Sequence, residues 1–184
     1  MARVLVPLAT GCEEMEAITI IDVLRRGGIE VISAGLESGP VTCSRRCVIV
    51  PDTTLDAVLE DEFDMVVLPG GLPGADHLNA DPRIIGLLQA MDASGGYTAA
   101  ICAAPKVLAT AGLLDGRSAT SYPGVLAAIE VPGLRFTADP VVEDDRVITS
   151  QGPGTAMDFA LALVDVLAGP DVRNQVEAGL RPGH

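Results

Sequence analysis

The sequence predicts an α/β protein: a mostly parallel sheet with helices on both faces and a small hairpin excursion. Two observations carry that prediction. Short apolar runs of strand length alternate with longer amphipathic stretches, the order expected when crossover helices connect parallel strands. The helical stretches also carry their own start and stop signals, with acids or Asp-Pro in front and glycine behind. With 184 residues, 48% hydrophobic and 20% charged, the chain can bury a sizeable core, and no linker, repeat or low-complexity tract divides it. One domain, 1–184, is expected.

In order, "RVLVPL" (Arg3 to Leu8) predicts the first strand, and "EEMEAITIIDVLRRGG" a helix with acids in its first turn, Arg25 and Arg26 in its last, and Gly27-Gly28 as its stop. "IEVISAG" predicts the second strand. "VTCSRRCVIV" (Val41 to Val50) is strand-like on both sides of a polar centre, which suggests a hairpin or edge excursion ended by Pro51 and Asp52. A short helix over Leu55 to Leu59 leads to the apolar strand "DMVVLPGG" (Asp64 to Gly71). Asp81-Pro82 then caps a helix running to about Ser94. "YTAAI" is a buried strand, and Pro105 begins a helix through "KVLATAGLL". "RSATSY" (Arg117 to Tyr122) predicts another strand, "DPVVEDDRVITS" a hairpin turning at Asp144-Asp145, and Gly154 to Gly169 a long helix stopped by Gly169-Pro170.

Charge and cysteines narrow the function classes. Lys+Arg of 12 against Asp+Glu of 25 gives a net charge of -13, so nucleic-acid phosphates and anionic membrane surfaces are not expected partners. "MARVLVPLATG" lacks the layout of a secretory signal, and no apolar run reaches membrane-spanning length. The expected location is cytoplasmic, where Cys12, Cys43, Cys47 and Cys102 stay reduced. A CxxxC of Cys43 and Cys47 without a second pair is a weak metal site, so no metal is expected, and no motif calls for a cofactor.

Cys102, in "AAICAAP", is the candidate nucleophile. Reactive groups of open α/β sheets gather beyond the carboxyl ends of the strands, and Cys102 falls at such an end, within three residues of a helix start. The turn must be tight, like a nucleophile elbow. A helix N-terminus behind the sulfur is expected to lower the thiol pKa below its free value of about 8.5. A free cysteine is more often inert core, and the strand-end position leaves both alternatives open. Two further strand ends could meet the thiol. The backbone N–H groups of "LPGG", with that of Ala103, could face an oxyanion. In "GCEEMEA", Glu16 is expected to turn inward while Glu13 and Glu14 stay in solvent. An inward Glu16 could share a proton with the thiol.

Taken together and in this order, "GCEEMEA", "CSR" (Cys43 to Arg45), "VVLPGG", "AAICAAP" and "TSQGPGT" (Thr149 to Thr155) resemble the ThiJ/PfpI family, in the branch of the Parkinson-associated protein deglycase and its bacterial relatives. The resemblance runs from Val4 to about Gly169. It implies a flavodoxin-like α/β sandwich that is usually a homodimer. It matches Cys102 to the family's reactive cysteine, Glu16 to the acid that hydrogen-bonds it, and Gly71 and Ala103 to the oxyanion amides. Arg45 matches a residue that approaches the cysteine from the partner subunit.

The sequence departs from the family at two informative places. Tyr122, in "TSYP", stands where other members of the branch carry histidine, and neither His77 nor His184 falls at a motif position. Ala103 follows the cysteine where the peptidase-like branch has histidine, which argues against proteolysis, and no HxE pair of a glutamine amidotransferase occurs. The resemblance therefore implies a cofactor-independent glyoxalase or deglycase, with a methylglyoxal-like carbonyl or a glycated protein as substrate. The alternative is a redox-sensing, protective protein whose Cys102 is oxidised to sulfinate.

Overall fold

The computed structural model describes residues 1–180; His184 lies outside the described residues. Its elements in chain order are β1 (Arg3–Leu8), α1 (Glu14–Arg26), β2 (Glu30–Gly35), β3 (Val41–Thr42), β4 (Val48–Ile49), β5 (Thr53–Thr54), β6 (Met65–Leu68), α2 (Gly74–Ala80), α3 (Pro82–Ser94), β7 (Tyr97–Ile101), α4 (Pro105–Thr110), β8 (Ser118–Ala119), β9 (Arg135–Phe136), β10 (Val141–Asp144), β11 (Val147–Ser150), α5 (Ala156–Ala168) and α6 (Pro170–Leu180). Seven strands form one sheet in the order β10-β11-β7-β6-β1-β2-β5. Every pairing in it is parallel except β10 with β11, the hairpin whose turn places Asp145 at φ 59.

Side chains of the central strands divide by alternation, because successive residues of a strand point to opposite faces. Val4, Val6, Leu8, Met65, Val67, Ala99 and Ile101 face one core with Ile20, Leu24 and Phe159, under α1 and α5. Leu5, Val66, Leu68 and Ala100 face the other, with Leu78, Leu88 and Leu108 under α2, α3 and α4. Burial on both faces explains why β6 is apolar without a break. Helix α3 begins at Asp81, whose carboxylate accepts from the Arg83 N–H at 2.9 Å, with Pro82 in the first turn, and ends at Gly95 with φ 77.

Several boundaries differ from the sequence expectation. The "VTCSRRCVIV" excursion is a hairpin, but its strands are two residues each, with 43–47 as the turn. "RSATSY" supplies only β8, which pairs with β9 outside the main sheet. Helix α4 stops at Thr110, before Gly112 at φ 81. Helix α5 ends as expected at Gly169, with φ 87, but Pro170 at once opens a further helix, α6, that the sequence reading did not include, since proline is tolerated in a first helical turn. Helix α2 also forms within a Gly- and Pro-rich stretch.

Candidate active site

Cys102 follows the last residue of β7 and has φ 64, in the left-handed region that a side chain with Cβ avoids. That conformation costs about 1–2 kcal/mol, so its peptide groups must be held. The Cys102 N–H donates to the Ser150 carbonyl at 3.0 Å, and its carbonyl accepts from the Tyr122 N–H at 2.8 Å. Ser150 belongs to "TSQGPGT", so this motif anchors the elbow from β11. Gly70 comes so close that a Cβ there would lie 2.6 Å from the Cys102 Cβ. Gly71 has φ 87, and a Cβ on it would lie 2.4 Å from the Glu13 nitrogen. Gly70 and Gly71 of "LPGG" are therefore without side chains because the elbow and the α1 start both press against them.

The same contacts seat Glu16. The Glu13 N–H donates to the Gly70 carbonyl at 2.9 Å, which fixes the start of α1 against the turn. One helical turn later the Glu16 carboxyl, wholly buried, accepts from the Gly70 N–H at 2.8 Å through Oε2. Its Oε1 is buried with no ordinary hydrogen-bond partner, and the carboxyl and the Cys102 thiol shift one another's pKa. Burial pushes the Glu16 carboxyl up to about 7, against the Gly70 amide and the thiol, which favour the anion.

The thiol itself departs from the sequence expectation. Burial first, and then the charge of Glu16, push Cys102 up to about 12, against the lowering effect of the Gly71 and Ala103 N–H groups. A six-residue α4 whose first turn starts at Pro105 does not outweigh a desolvated anion beside a carboxylate. When Glu16 takes a proton, its opposing charge disappears, so the two groups titrate as a coupled pair.

Glu13 and Glu14 also differ from expectation, since both are 8% exposed rather than solvated. The Ser44 hydroxyl donates to Glu13 Oε2 at 2.7 Å. The Arg45 N–H donates to Glu14 Oε1 at 3.0 Å and the Cys47 N–H at 3.3 Å. Burial opposes the Glu14 charge, but these amides outweigh it and hold the carboxyl below its usual range. Glu14 thus pins the β3–β4 turn onto α1.

The structure therefore gathers Cys102, Glu16, Gly71 and Ala103. Tyr122 stands at the rim, half exposed, its backbone on Cys102 and its ring over Gly152, where a Cβ would lie 3.2 Å from Tyr122 Cδ2. Arg45 is joined to the cluster only through its backbone, and its exposed side chain has no ion pair or hydrogen bond among the described residues. His77 is bonded to the Thr10 carbonyl at 2.8 Å, away from the thiol. Two supporting residues were not picked out from the sequence. Gly70, not only Gly71, supplies a site amide, and Ser150 holds the elbow. The double glycine of "LPGG" signalled the first; the second lies in "TSQGPGT", quoted for the resemblance but given no role of its own. Among the described residues no group of three or more His, Cys, Asp and Glu is placed to hold a metal ion, and no helix is long and apolar enough to cross a membrane.

Fold and site together define a flavodoxin-like α/β protein with a cysteine elbow beside a buried glutamate. The model of the DJ-1/PfpI family matches residues 2–166, and the chain belongs to that family. It is 48% identical over 178 residues to Protein dj-1beta of Drosophila melanogaster, covering 96% of this chain and 95% of that protein. It is 43% identical over 164 residues to a Caenorhabditis elegans protein named glutathione-independent glyoxalase DJR-1.2, covering 89% and 87%. The crystal structure of Drosophila DJ-1beta superposes with a TM-score of 0.93 at 45% identity, covering 100% of this chain and 99% of that one.

Proposed function

We propose that the protein is a cofactor-independent glyoxalase or deglycase, acting on methylglyoxal-like carbonyls or their early adducts on proteins. The observation that carries the reading is the buried Glu16 carboxyl, pushed up to about 7 beside the Cys102 thiol, with which it interacts. A group titrating near the working pH is suited to move a proton in both directions. The name of the nematode relative supports the substrate class.

In the proposed sequence the Cys102 sulfur adds to the aldehyde carbon of methylglyoxal, and the oxygen it displaces from the double bond takes a proton, giving a hemithioacetal. The Gly71 and Ala103 N–H groups stabilise the oxyanion before that proton arrives. Glu16 as carboxylate removes the hydrogen from the former aldehyde carbon and returns it to the neighbouring ketone carbon. The product is a lactoyl thioester on Cys102. Water then hydrolyses it, releasing lactate and restoring the thiol, so methylglyoxal and one water account for all atoms. Incubation of the protein with methylglyoxal without glutathione should yield lactate, with kcat/KM rising as pH increases through about 7, because Glu16 loses its proton there and becomes the base. A profile flat from mildly acid to mildly alkaline pH removes Glu16 from the chemistry.

The site is proposed to be completed in a homodimer. Met15 and Ile18 on α1, with Val48 and Val50 on the adjoining hairpin, are 60%, 49%, 61% and 76% exposed. The family resemblance assigns Arg45 of a second copy to the neighbourhood of the first copy's Cys102. A cytoplasmic setting, with no cofactor, metal, nucleic acid or membrane involved, is part of the same proposal. The redox-sensing alternative uses the same thiol, and no feature favours it over carbonyl chemistry. Graded peroxide with intact-mass measurement separates the two. If carbonyl chemistry is the function, lactate formation should saturate at substrate levels where Cys102 remains a thiol, and a sulfinate-bearing protein should be inactive. Full activity of the sulfinate form would exclude the thiolate mechanism.

A further inference from the structure

Cys12, Cys43 and Cys47 take no part in the chemistry above. Cys12 lies between β1 and α1, Cys43 follows β3 and Cys47 precedes β4. Cys12 is wholly buried, Cys43 is 4% exposed, and Cys47 is open to solvent in the single chain, beside the hairpin residues of the proposed dimer face. The Cys12 and Cys43 sulfurs stand 3.6 Å apart. Backbone bonds impose this contact. The Gly11 N–H donates to the Thr42 carbonyl at 2.8 Å, and the Ser44 N–H donates to the Cys12 carbonyl at 2.8 Å, so the two cysteines are bracketed on both sides. Such pairing sets neighbouring backbones about 5 Å apart, inside the Cα separation of roughly 4.4–6.8 Å that a disulfide spans. Closing to a bond of about 2.05 Å asks for side-chain rotation and a small loop shift. Across the turn, the Cys43 N–H donates to the Cys47 carbonyl at 2.8 Å, which keeps the exposed thiol next to the buried pair.

We propose that Cys12 and Cys43 form a second redox centre, a disulfide-forming pair oxidised by small-molecule disulfides of the glutathione class that enter through Cys47. The Cys47 thiolate attacks the small disulfide, forming a mixed disulfide and releasing one thiol. Cys43 then attacks the Cys47 sulfur, giving a Cys43–Cys47 bond and releasing the second small thiol. Cys12 attacks the Cys43 sulfur, forming the Cys12–Cys43 bond and returning Cys47 to the thiol. Two protein thiols are oxidised and one small disulfide is reduced to two thiols, so electrons and protons balance.

Cys102 is not used, yet the two centres share a wall. A Cβ on Gly71 would lie 2.7 Å from the Cys12 carbonyl carbon and 2.4 Å from the Glu13 nitrogen. A Cys12–Cys43 bond would tie the β3–β4 hairpin covalently to the loop against which the Gly71 amide is seated.

The test exploits the spacing of the basic residues. Trypsin places Cys12 in 4–25, Cys43 in 27–45, Cys47 in 47–83 and Cys102 in 84–106, so every cysteine falls in its own peptide. The full chain is equilibrated in buffers of graded oxidised and reduced glutathione, its free thiols are alkylated under denaturation, and non-reducing digests are mapped by mass. The expected result is a 4–25 peptide joined to 27–45 with the Cys47 peptide alkylated. Cys47→Ser should reach the same linkage at least roughly tenfold more slowly, since a buried thiol is shielded from attack. Cys12→Ala should stop at a Cys43–Cys47 link or a mixed disulfide on Cys47. Alkylated Cys12 and Cys43 in every buffer, or Cys43 joined only to Cys47 in the unsubstituted protein, overturns the proposal. Oxidation of Cys12→Ala that leaves Cys43 and Cys47 unmodified, or Cys47→Ser oxidising at the original rate, overturns the entry route. The state of Cys102 is read from its own peptide, so the outcome stands apart from the proposed carbonyl chemistry.

Discussion

Cys102→Ala is expected to abolish lactate formation from methylglyoxal, lowering kcat/KM by about a thousandfold or more. The size follows from what the sulfur does. In the proposed mechanism it is the atom that becomes bonded to substrate, so removing it deletes the intermediate as well as weakening a contact. The Gly71 and Ala103 amides, proposed to face the oxyanion, and the Glu16 carboxyl survive in the variant. Whatever rate remains measures how far those groups alone can isomerise a free carbonyl.

The substitution should leave the fold intact. Alanine keeps the Cβ that Cys102 already presents at φ 64, and the two backbone bonds that hold the elbow, from Cys102 to Ser150 and from Tyr122 to Cys102, involve no sulfur. Near-native melting with lost activity is the expected combination. Lactate formation unaffected by the substitution would show that the sulfur is not the nucleophile, whatever its position on the elbow.

That position was legible in the sequence because strand-end and helix-start signals are local. "YTAAI" and Pro105 lie on either side of Cys102 and fix where the chain must turn. The same locality explains β1, α1, α3 and β6, each marked by its own period and caps. What local signals cannot carry is what folds back onto them. Glu13 and Glu14 looked solvated because nothing near them in sequence shows that Ser44, Arg45 and Cys47 will cover them. The thiol pKa was expected to fall because the helix start is visible beside Cys102, whereas the depth of its burial is not, and the inward Glu16 was read as a proton partner rather than as a charge that raises the thiol. Helix α6 was missed for a related reason. It is mostly polar, buries only Val176, and is held by packing on α5, so Gly169-Pro170 reads as an end rather than as a junction.

Glu16→Gln is expected to move activity and stability in opposite directions. Glutamine keeps the shape, and its oxygen can still accept from the Gly70 N–H, but it cannot relay a proton between the two substrate carbons. Loss of a general acid-base group of this kind lowers the rate by about 10²–10⁴-fold. The fall should appear in kcat more than in KM, because the amides and the thiol proposed to meet substrate are unchanged.

Stability should respond with the opposite sign. The folded-state pKa of Glu16 is raised from 4.5 to about 7, so the folded protein binds the proton more tightly than the unfolded chain. The stabilisation from that proton is fully present below the unfolded value and is lost as pH rises through the folded value. Across this window the wild type loses on the order of 3 kcal/mol, which glutamine, neutral throughout, does not. Thermal melts of the two proteins should nearly coincide below the unfolded value of 4.5, separate as pH rises toward about 7 and stay apart above it, with the variant higher by roughly 5–10 °C. A constant gap across pH would mean that Glu16 is not strained as an anion. A variant that is both slower and less stable in alkali would make the carboxylate a structural anchor. The expected pair of results places an ionisable group where folding disfavours its charge and the reaction requires it.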